Sequence, residues 1–327
     1  MKYFSTFSGI GGFEKAIQQA YELSKMGVKS KDSTDSPGEP PQYSTSPLCV
    51  GYSEIDKYAI QIYEKHFNHK NYGNITEIIA EELPDFDLLV GGFPCQAFSI
   101  AGKRKGFEDT RGTLFFDLAR ILRAKQPRLF VFENVKGLLS HDNGNTFKTI
   151  ISTLDELGYD LQWQVLNSKN HGVPQNRERV FIIGNLRGTP RPKVFPFGQD
   201  DGVSASPAGA EPRRTQTEIS HTLKGNNVKA DNVFIKVCGD LDKRKTYLGD
   251  IASTLAANPT SDNTARVLLN ARIRRLTPTE CARLQGFPDN WHEGVSDSQA
   301  YKVYGNAVTV NTVQDVMERL LNQAENK

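Results

Sequence analysis

Residues 2–17, KYFSTFSGIGGFEKAI, decide the fold. Lys2 to Phe7 is a short run rich in aromatic and hydroxyl side chains, the glycines at 9, 11 and 12 follow it, and a helix-like stretch opens near Gly12. Strand, glycine turn and helix form the first unit of an α/β sheet, whose ligands settle in the crevice outside the carboxyl ends of the strands. Glycine there lets the backbone turn tightly and approach a ligand closely. The spacing is not GxGxxG, so a pyrophosphate cradle is poorly supported. Taken alone, the loop reads equally as a tight turn without ligand and as a cofactor loop.

The alternation continues outward. Val50 to Glu54, Asp87 to Gly91 and Arg128 to Phe132 read as strands, and helices begin near Asp56, Thr113 and Asn145. Asp160 to Leu166 and Arg179 to Gly184 add two more strands. The pattern predicts a parallel sheet covered by helices on both faces. Two shifts in composition interrupt it. Residues 24–47, rich in Ser, Thr, Pro, Gly and Lys, read as a surface insertion. From Gly188 helical periodicity is lost until Thr277, and turn residues separate short β-like runs. Within that region Ile219-Ser-His-Thr-Leu223 is echoed by Ile251-Ala-Ser-Thr-Leu255, which suggests two similar strand-and-loop units. Helices return with Thr277 as N-cap, Pro278 at the first position and Glu280 at the third, and then with Val308 to Leu321.

The chain has 327 residues, 40 Lys and Arg against 38 Asp and Glu, and a net charge of +2. A near-neutral total counts against nucleic acid as a partner. The distribution reverses that inference: residues 187–275 carry 15 basic and 9 acidic side chains, a local +6, while the rest carries 25 and 29. A basic module on an acidic body reopens nucleic acid as a partner. The four cysteines form no CxxC, so neither a metal site nor a disulfide framework is indicated. No apolar run is long enough to span a membrane, and a cytoplasmic location is expected.

Several residues could carry chemistry. Gly91-Gly-Phe-Pro-Cys95 places a thiol at the end of a strongly apolar strand, where such folds expose their active sites. A lone cysteine is usually an inert buried group, but Pro94 fixes the backbone and the chain after Cys95 is polar. From Gln96 to Gly112 it carries Lys103, Arg104, Lys105 and Arg111 among three glycines, the composition of a movable lid. Glu133, at the end of the next strand, can converge with Cys95 because parallel strands end on one edge. Arg177 and Arg179 stand two residues apart and share a face if a strand begins there. Glu54, at a strand end, is placed to accept hydrogen bonds from a ribose. Gly305-Asn306 reads as a cap before a helix, and His171 as structural.

Together these segments resemble the DNA cytosine-5 methyltransferases of bacterial restriction-modification systems. The resemblance covers nearly the whole chain in order: FSGIGGF, SEIDKYA, GNITEI, GGFPCQAFSIAGKRKGFEDTRGTLFFD, ENVKGLLSHDNGNT, QNRERVF, a variable region, RRLTPTECARLQGFPD and QAYKVYGNAV. It implies a Rossmann-like α/β catalytic domain over residues 1–187 and 299–327, and a smaller β-rich target-recognition domain with its hinge over 188–298. Cys95 is then the nucleophile, Glu133 grips the target cytosine, and Arg179, with Arg177 nearby, orients it. S-adenosyl-L-methionine is the implied cofactor, held by Phe7, Gly9, Ile10, Gly12, Glu54, Ile55, Asn74, Pro94, Leu114, Asn306 and Val308. Duplex DNA is the implied partner, met by Gln96, Ser99, Lys103, Arg104, Arg111, Thr254 and Leu255. Thr222-Leu223 is a second candidate for that recurring Thr-Leu pair. The resemblance further implies a bacterial or phage-encoded monomer that protects host DNA, with a cognate restriction endonuclease reading the same sequence without direct contact. Ser5 stands where the family often has an acidic residue, Asn74 where an Asp is common, and Ile55 where an aromatic is frequent. None of these departures removes a chemical role.

The residue types suit that chemistry. A thiolate adding to carbon 6 of cytosine converts the ring to an enamine able to attack a sulfonium methyl group, and cysteine is the nucleophile with useful anion population near neutrality. A carboxyl group at ring nitrogen 3 and the exocyclic amine draws off the incoming electrons. Carbon 6 is inaccessible in a stacked duplex, so the base must be flipped out. Three other readings remain open on the residues alone: RNA cytosine methylation by the same chemistry, a catalytically silent DNA-binding regulator, and a nicotinamide-dependent oxidoreductase, the last weakened by the missing GxGxxG.

Overall fold

The computed structural model describes residues 1–25, 46–94, 114–197 and 275–322, together with the backbone of 26–27, 233–237, 246–248, 252–253, 266–269, 272–274 and 323–324. Most of the 24–47 insertion, the expected lid and the Thr-Leu pairs lie outside the described residues.

A six-stranded sheet organises the chain. It comprises β1 (Lys2–Thr6), β2 (Leu48–Ser53), β3 (Leu88–Gly92), β4 (Leu129–Val135), β5 (Tyr159–Asn167) and, after the two-residue β6 (Gln175–Asn176), β7 (Glu178–Leu186). Its order is β2-β1-β3-β4-β7-β5. The first four strands are parallel, but β7 runs antiparallel to both β4 and β5. The wholly parallel sheet expected from the sequence is therefore corrected to a mixed one. Only ten residues separate Asn167 from Glu178, and a parallel crossover needs about a dozen or more. The chain turns back instead and inserts β7 between β4 and β5.

Period-two alternation sorts the strand residues onto two cores. Tyr3, Leu88, Val90, Leu129, Val131, Phe181 and Ile183 face one side. There they meet α1 (Gly12–Gly27), α2 (Lys57–His66), α5 (Pro278–Leu284), α6 (Asp297–Asn306) and α7 (Val310–Ala324). Phe4, Leu89, Phe130, Phe132, Val180 and Ile182 face the other, against α3 (Leu114–Lys125) and α4 (Asn145–Glu156). Both faces are covered, as the sequence pattern predicts. On the edge strand β5, the Gln162 and Gln164 side chains bind backbone groups of Pro192, Val194 and Phe197, which seats Val194, Phe195 and Phe197 in the first core.

Helix α5 starts with a complete capping box: Thr277 accepts from the Glu280 amide while Glu280 accepts from the Thr277 amide. Helix α6 is not legible in the sequence pattern. Gly305 and Asn306 close it, rather than capping a helix that follows. His171 is buried with Nδ1 2.6 Å from Asp315 on α7, the structural part expected of it.

The remaining strands are β8 (Val233–Val237), β9 (Thr246–Leu248), β10 (Ala252–Ser253), β11 (Arg266–Leu269) and β12 (Arg272–Arg275). Four of them form an antiparallel sheet in the order β12-β11-β8-β9. Strand β10 pairs in parallel with β6. Among the described residues no helix is long and apolar enough to cross a membrane.

Candidate active site

The carboxyl ends of β1, β3 and β4 and the start of β7 form one edge, and pairing register sets the side chains along it. Gly92 lies opposite Glu133, and Val135 opposite Arg179. Glu133 sits inside β4, not at its end as the sequence suggested, because pairing with β7 prolongs the strand to Val135. Its side chain is largely withdrawn from water, and Oε1 lies 2.9 Å from Arg179 Nε. Arg179 Nη1 also donates to the Glu178 carbonyl at 2.8 Å. The other carboxylate oxygen stands over β3: a Cβ placed on Gly92 would lie 3.0 Å from Glu133 Oε2. Glycine at 92 thus leaves that oxygen room beside the strand that leads to Cys95.

Asn134 connects the carboxylate to the thiol-bearing loop. Its Nδ2 donates to the Phe93 carbonyl at 2.8 Å, and its Oδ1 accepts from the Val135 amide at 2.8 Å. Both side-chain ends are thereby fixed, and so is the peptide two residues before Cys95. Sequence reasoning gave this residue no role, although it stands in the quoted Glu-Asn-Val run. Pro94 is exposed at the edge. Cys95, Gln96, Ser99, Lys103, Arg104, Arg111, Thr254 and Leu255 lie outside the described residues.

Arg177 takes a different course from Arg179. It is buried, and its Nη2 donates to the carbonyls of Gly305 at 3.1 Å and Ala307 at 2.8 Å. Burial pulls its pKa down to about 9, the neighbouring Arg179 adds to the effect, and Glu133 opposes it. The guanidinium fastens the chain between α6 and α7. The structure pairs Arg179, not Arg177, with Glu133.

The loop between β1 and α1 lies on the same edge. Phe7, Gly9 and Gly11 adopt positive φ of 50°, 56° and 86°. The Gly9 amide donates to Glu54 Oε2, and the amides of Ile55 and Asp56 to Glu54 Oε1, each at 2.8 Å. These use three of the roughly four acceptor positions of a carboxylate, so Glu54 is oriented with one left for a ligand hydroxyl. A Cβ on Gly9 would meet nothing within 4 Å, and Ile55, next to Glu54 in the chain, is 70% exposed. Open space over a glycine, an exposed apolar side chain and a fixed carboxylate are parts that fit a nucleoside.

Other expected binding residues fall around this loop. Val308 approaches both Gly12 and Gly92, since side-chain carbons built there would lie 2.6 Å and 3.8 Å from its methyl groups. It therefore joins the first loop, β3 and the chain after α6. Ile10 is buried, and Trp291 Nε1 donates to its carbonyl at 2.9 Å. Trp291 stacks on His66 at 3.5 Å. No sequence pattern identifies it, because it acts on a backbone carbonyl. Asn306 is exposed and Leu114 half-buried. Asn74 caps its own turn, accepting from the Thr76 amide at 3.2 Å and donating to Glu77 at 3.3 Å.

Comparison with known proteins places this geometry. The family model for the C-5 cytosine-specific DNA methylases matches residues 1–322. The Type II methyltransferase M1.ScrFI of Lactococcus lactis subsp. cremoris is 39% identical over 99% of this chain and 79% of its own length. The Type II methyltransferase M.HhaI of Haemophilus parahaemolyticus is 37% identical over 96% of this chain and 92% of its own. Among solved structures, the Dnmt2 methyltransferase of S. pombe superposes with a TM-score of 0.66 at 18% identity, covering all of both chains. The methyltransferase EhMeth of Entamoeba histolytica gives 0.59 at 19% identity, over 100% of this chain and 99% of that one. These structural likenesses bear on the fold alone.

Proposed function

The chain belongs to the C-5 cytosine-specific DNA methylases and is a DNA (cytosine-5) methyltransferase, and from that premise we propose that Cys95 attacks carbon 6 of a cytosine flipped out of duplex DNA while Glu133 and Arg179 hold the ring. The observation that carries this reading is the pairing, at 2.9 Å, of Arg179 on β7 with Glu133 on β4, the strand next to the one leading into Cys95.

In this reading the Cys95 thiolate forms a bond to carbon 6, and the electron pair of the 5,6 double bond becomes available at carbon 5 as an enamine. Glu133 Oε2, free of Arg179, delivers a proton to nitrogen 3 as the thiolate adds, which leaves the ring a neutral enamine, and then accepts from that N–H. The Arg179 guanidinium keeps the carboxylate in one orientation and opposes the charge that the thiolate brings into the ring. S-adenosyl-L-methionine, when bound, supplies an electrophilic methyl group on a sulfonium. Gly9, Glu54, Ile55 and Val308 would hold it, with Phe7, Ile10, Gly12, Pro94, Leu114, Asn306 and Asn74 around them. Loss of the carbon 5 proton to a base then lets the carbon–sulfur bond break and regenerates Cys95.

Residues 188–298 serve as the recognition domain and hinge, 1–187 and 299–327 as the catalytic domain. The lid residues Gln96, Ser99, Lys103, Arg104 and Arg111 and the pair Thr254-Leu255 contact DNA. The enzyme acts as a monomer in a restriction-modification system, the setting of the Type II relatives, beside an endonuclease that reads the same sequence.

Incubation of the full chain with labelled S-adenosyl-L-methionine and either duplex DNA or tRNA tests the reading. Label in 5-methylcytosine of duplex DNA, absent with Cys95→Ala, is expected. Unimpaired turnover by Cys95→Ala would overturn the mechanism, and label only in tRNA would overturn the substrate.

A further inference from the structure

The loop that would hold the cofactor is strained, and the group beneath it is a carboxylate that the proposed mechanism does not use. Phe7, which has a Cβ, sits at a φ of 50°, a conformation that persists only where the surroundings over-determine it. From above, Glu54 and Trp291 hold the Gly9 amide and the Ile10 carbonyl. From below, the Ser8 hydroxyl bonds to the Ser5 hydroxyl at 2.8 Å, and both serines are buried. Glu14, in the first turn of α1, is fully buried under the same bend. Its Oε1 accepts from the Tyr63 hydroxyl at 3.0 Å, and that hydroxyl lies 2.9 Å from His69 Nδ1. Its Oε2 is buried without a direct hydrogen-bond partner. The Ser5 hydroxyl lies close enough to favour the charged form.

We infer that Glu14 is a positioning residue for the cofactor loop: it anchors the Ser5–Ser8 underside of the Phe7–Gly11 bend to Tyr63 of α2 and so keeps the Gly9 amide and Glu54 in place for the nucleoside. A buried carboxyl group is costly unless its site uses it. Among the described residues the groups acting on it, Tyr3 and Ser5 from β1, Cys49 from β2, Tyr63 from α2 and Glu54, are neutral or anionic.

The inference rests on the assignment of S-adenosyl-L-methionine to this loop, and the test separates the two. S-adenosylhomocysteine, the unreactive product, is titrated into the full chain by calorimetry, and KM and kcat are measured on duplex DNA. If the wild-type protein fails to bind S-adenosylhomocysteine, the cofactor assignment itself is wrong. If it binds, Glu14→Ala is expected to weaken binding about tenfold and raise KM for S-adenosyl-L-methionine in parallel, with kcat and DNA affinity within about threefold of wild type, the scale of one lost hydrogen bond. Glu14→Gln, which keeps an acceptor for Tyr63, is expected to restore binding to within about threefold. Unchanged affinity in a folded Glu14→Ala protein, or Glu14→Gln as weak as Glu14→Ala, would overturn the inference. Should Glu14→Ala not fold, Tyr63→Phe removes only the hydroxyl: a loss of about fivefold supports the anchor, and unchanged affinity refutes it.

Discussion

At the cofactor edge, side chains hold backbone. Glu54 collects the amides of Gly9, Ile55 and Asp56, Trp291 takes the Ile10 carbonyl, and Glu14 lies beneath the bend. At the base edge the relation is inverted, and backbone holds side chains. The β3/β4/β7 register sets Glu133 across from Gly92 and brings Arg179 to it, and Asn134 reaches back to the Phe93 carbonyl. The difference suits the two tasks proposed for them. A nucleoside is bound largely through shape and backbone approach, so the loop must be bent and kept bent. A reacting ring needs charge at a defined point, which a strand interior supplies with little freedom to move. Substitutions at one edge should therefore affect binding, and at the other the chemical step.

Glu133→Ala should show the largest effect. It removes the carboxylate and leaves Arg179 unpaired, and kcat on duplex DNA should fall by about 10²–10⁴-fold, with S-adenosylhomocysteine affinity within about twofold by calorimetry. A matching loss of cofactor affinity would erase the contrast between the edges. Gly9→Ala should do the opposite. It forces a Cβ onto a residue at a φ of 56° and into the open space above it, so cofactor affinity should drop about tenfold while kcat at saturation stays near wild type. A kcat defect without a binding defect would contradict the division of labour.

A further effect, on stability and not on turnover, concerns pH. Burial lifts the Glu14 carboxyl from its ordinary 4.5 to about 7. A carboxyl whose folded pKa is raised keeps its proton in the folded protein after the unfolded chain has lost it. Its contribution is therefore fully present below pH 4.5 and is lost as pH rises to about 7. Glu14→Gln does not titrate, so urea unfolding should show it gaining on wild type between those limits, by at most about 3 kcal/mol. Parallel stability curves for the two proteins would place the carboxyl nearer its ordinary value.

Much of this architecture is legible in the sequence, and the limits are physical. The strand, glycine turn and helix of residues 2–17, the sheet covered on both faces and the capping box at Thr277 all rest on local patterns of glycine placement, period-two alternation and capping residues. The antiparallel β7 is not visible in its own residues. It depends on a connection too short for a crossover, and insertion between β4 and β5 is a tertiary choice. Helix α6 is missed because its sequence, DSQAYKVYGN, is polar and carries Gly305 near its end. The approach of Glu133 to the strand leading to Cys95 is anticipated from strand ends converging on one edge, whereas its pairing with Arg179 is not. The distinction from Arg177 is not, because alternation alone puts both guanidinium groups on one face and cannot reveal the Gly305 and Ala307 carbonyls that claim one of them. Asn134, Trp291 and Glu14 escape notice for a shared reason: their partners are backbone atoms or residues distant in sequence.

The central claim is that Cys95 forms a bond to the base that Glu133 and Arg179 hold. Duplex DNA containing 5-fluorocytosine tests it most directly, since fluorine at carbon 5 cannot leave as a proton does and the adduct is trapped after methyl transfer. With S-adenosyl-L-methionine present, the wild-type chain should form a denaturant-resistant complex whose cross-linked peptide contains Cys95, and Cys95→Ala should form none. Methylation of ordinary DNA with no trapped complex, or a complex linked through another residue, would contradict the account.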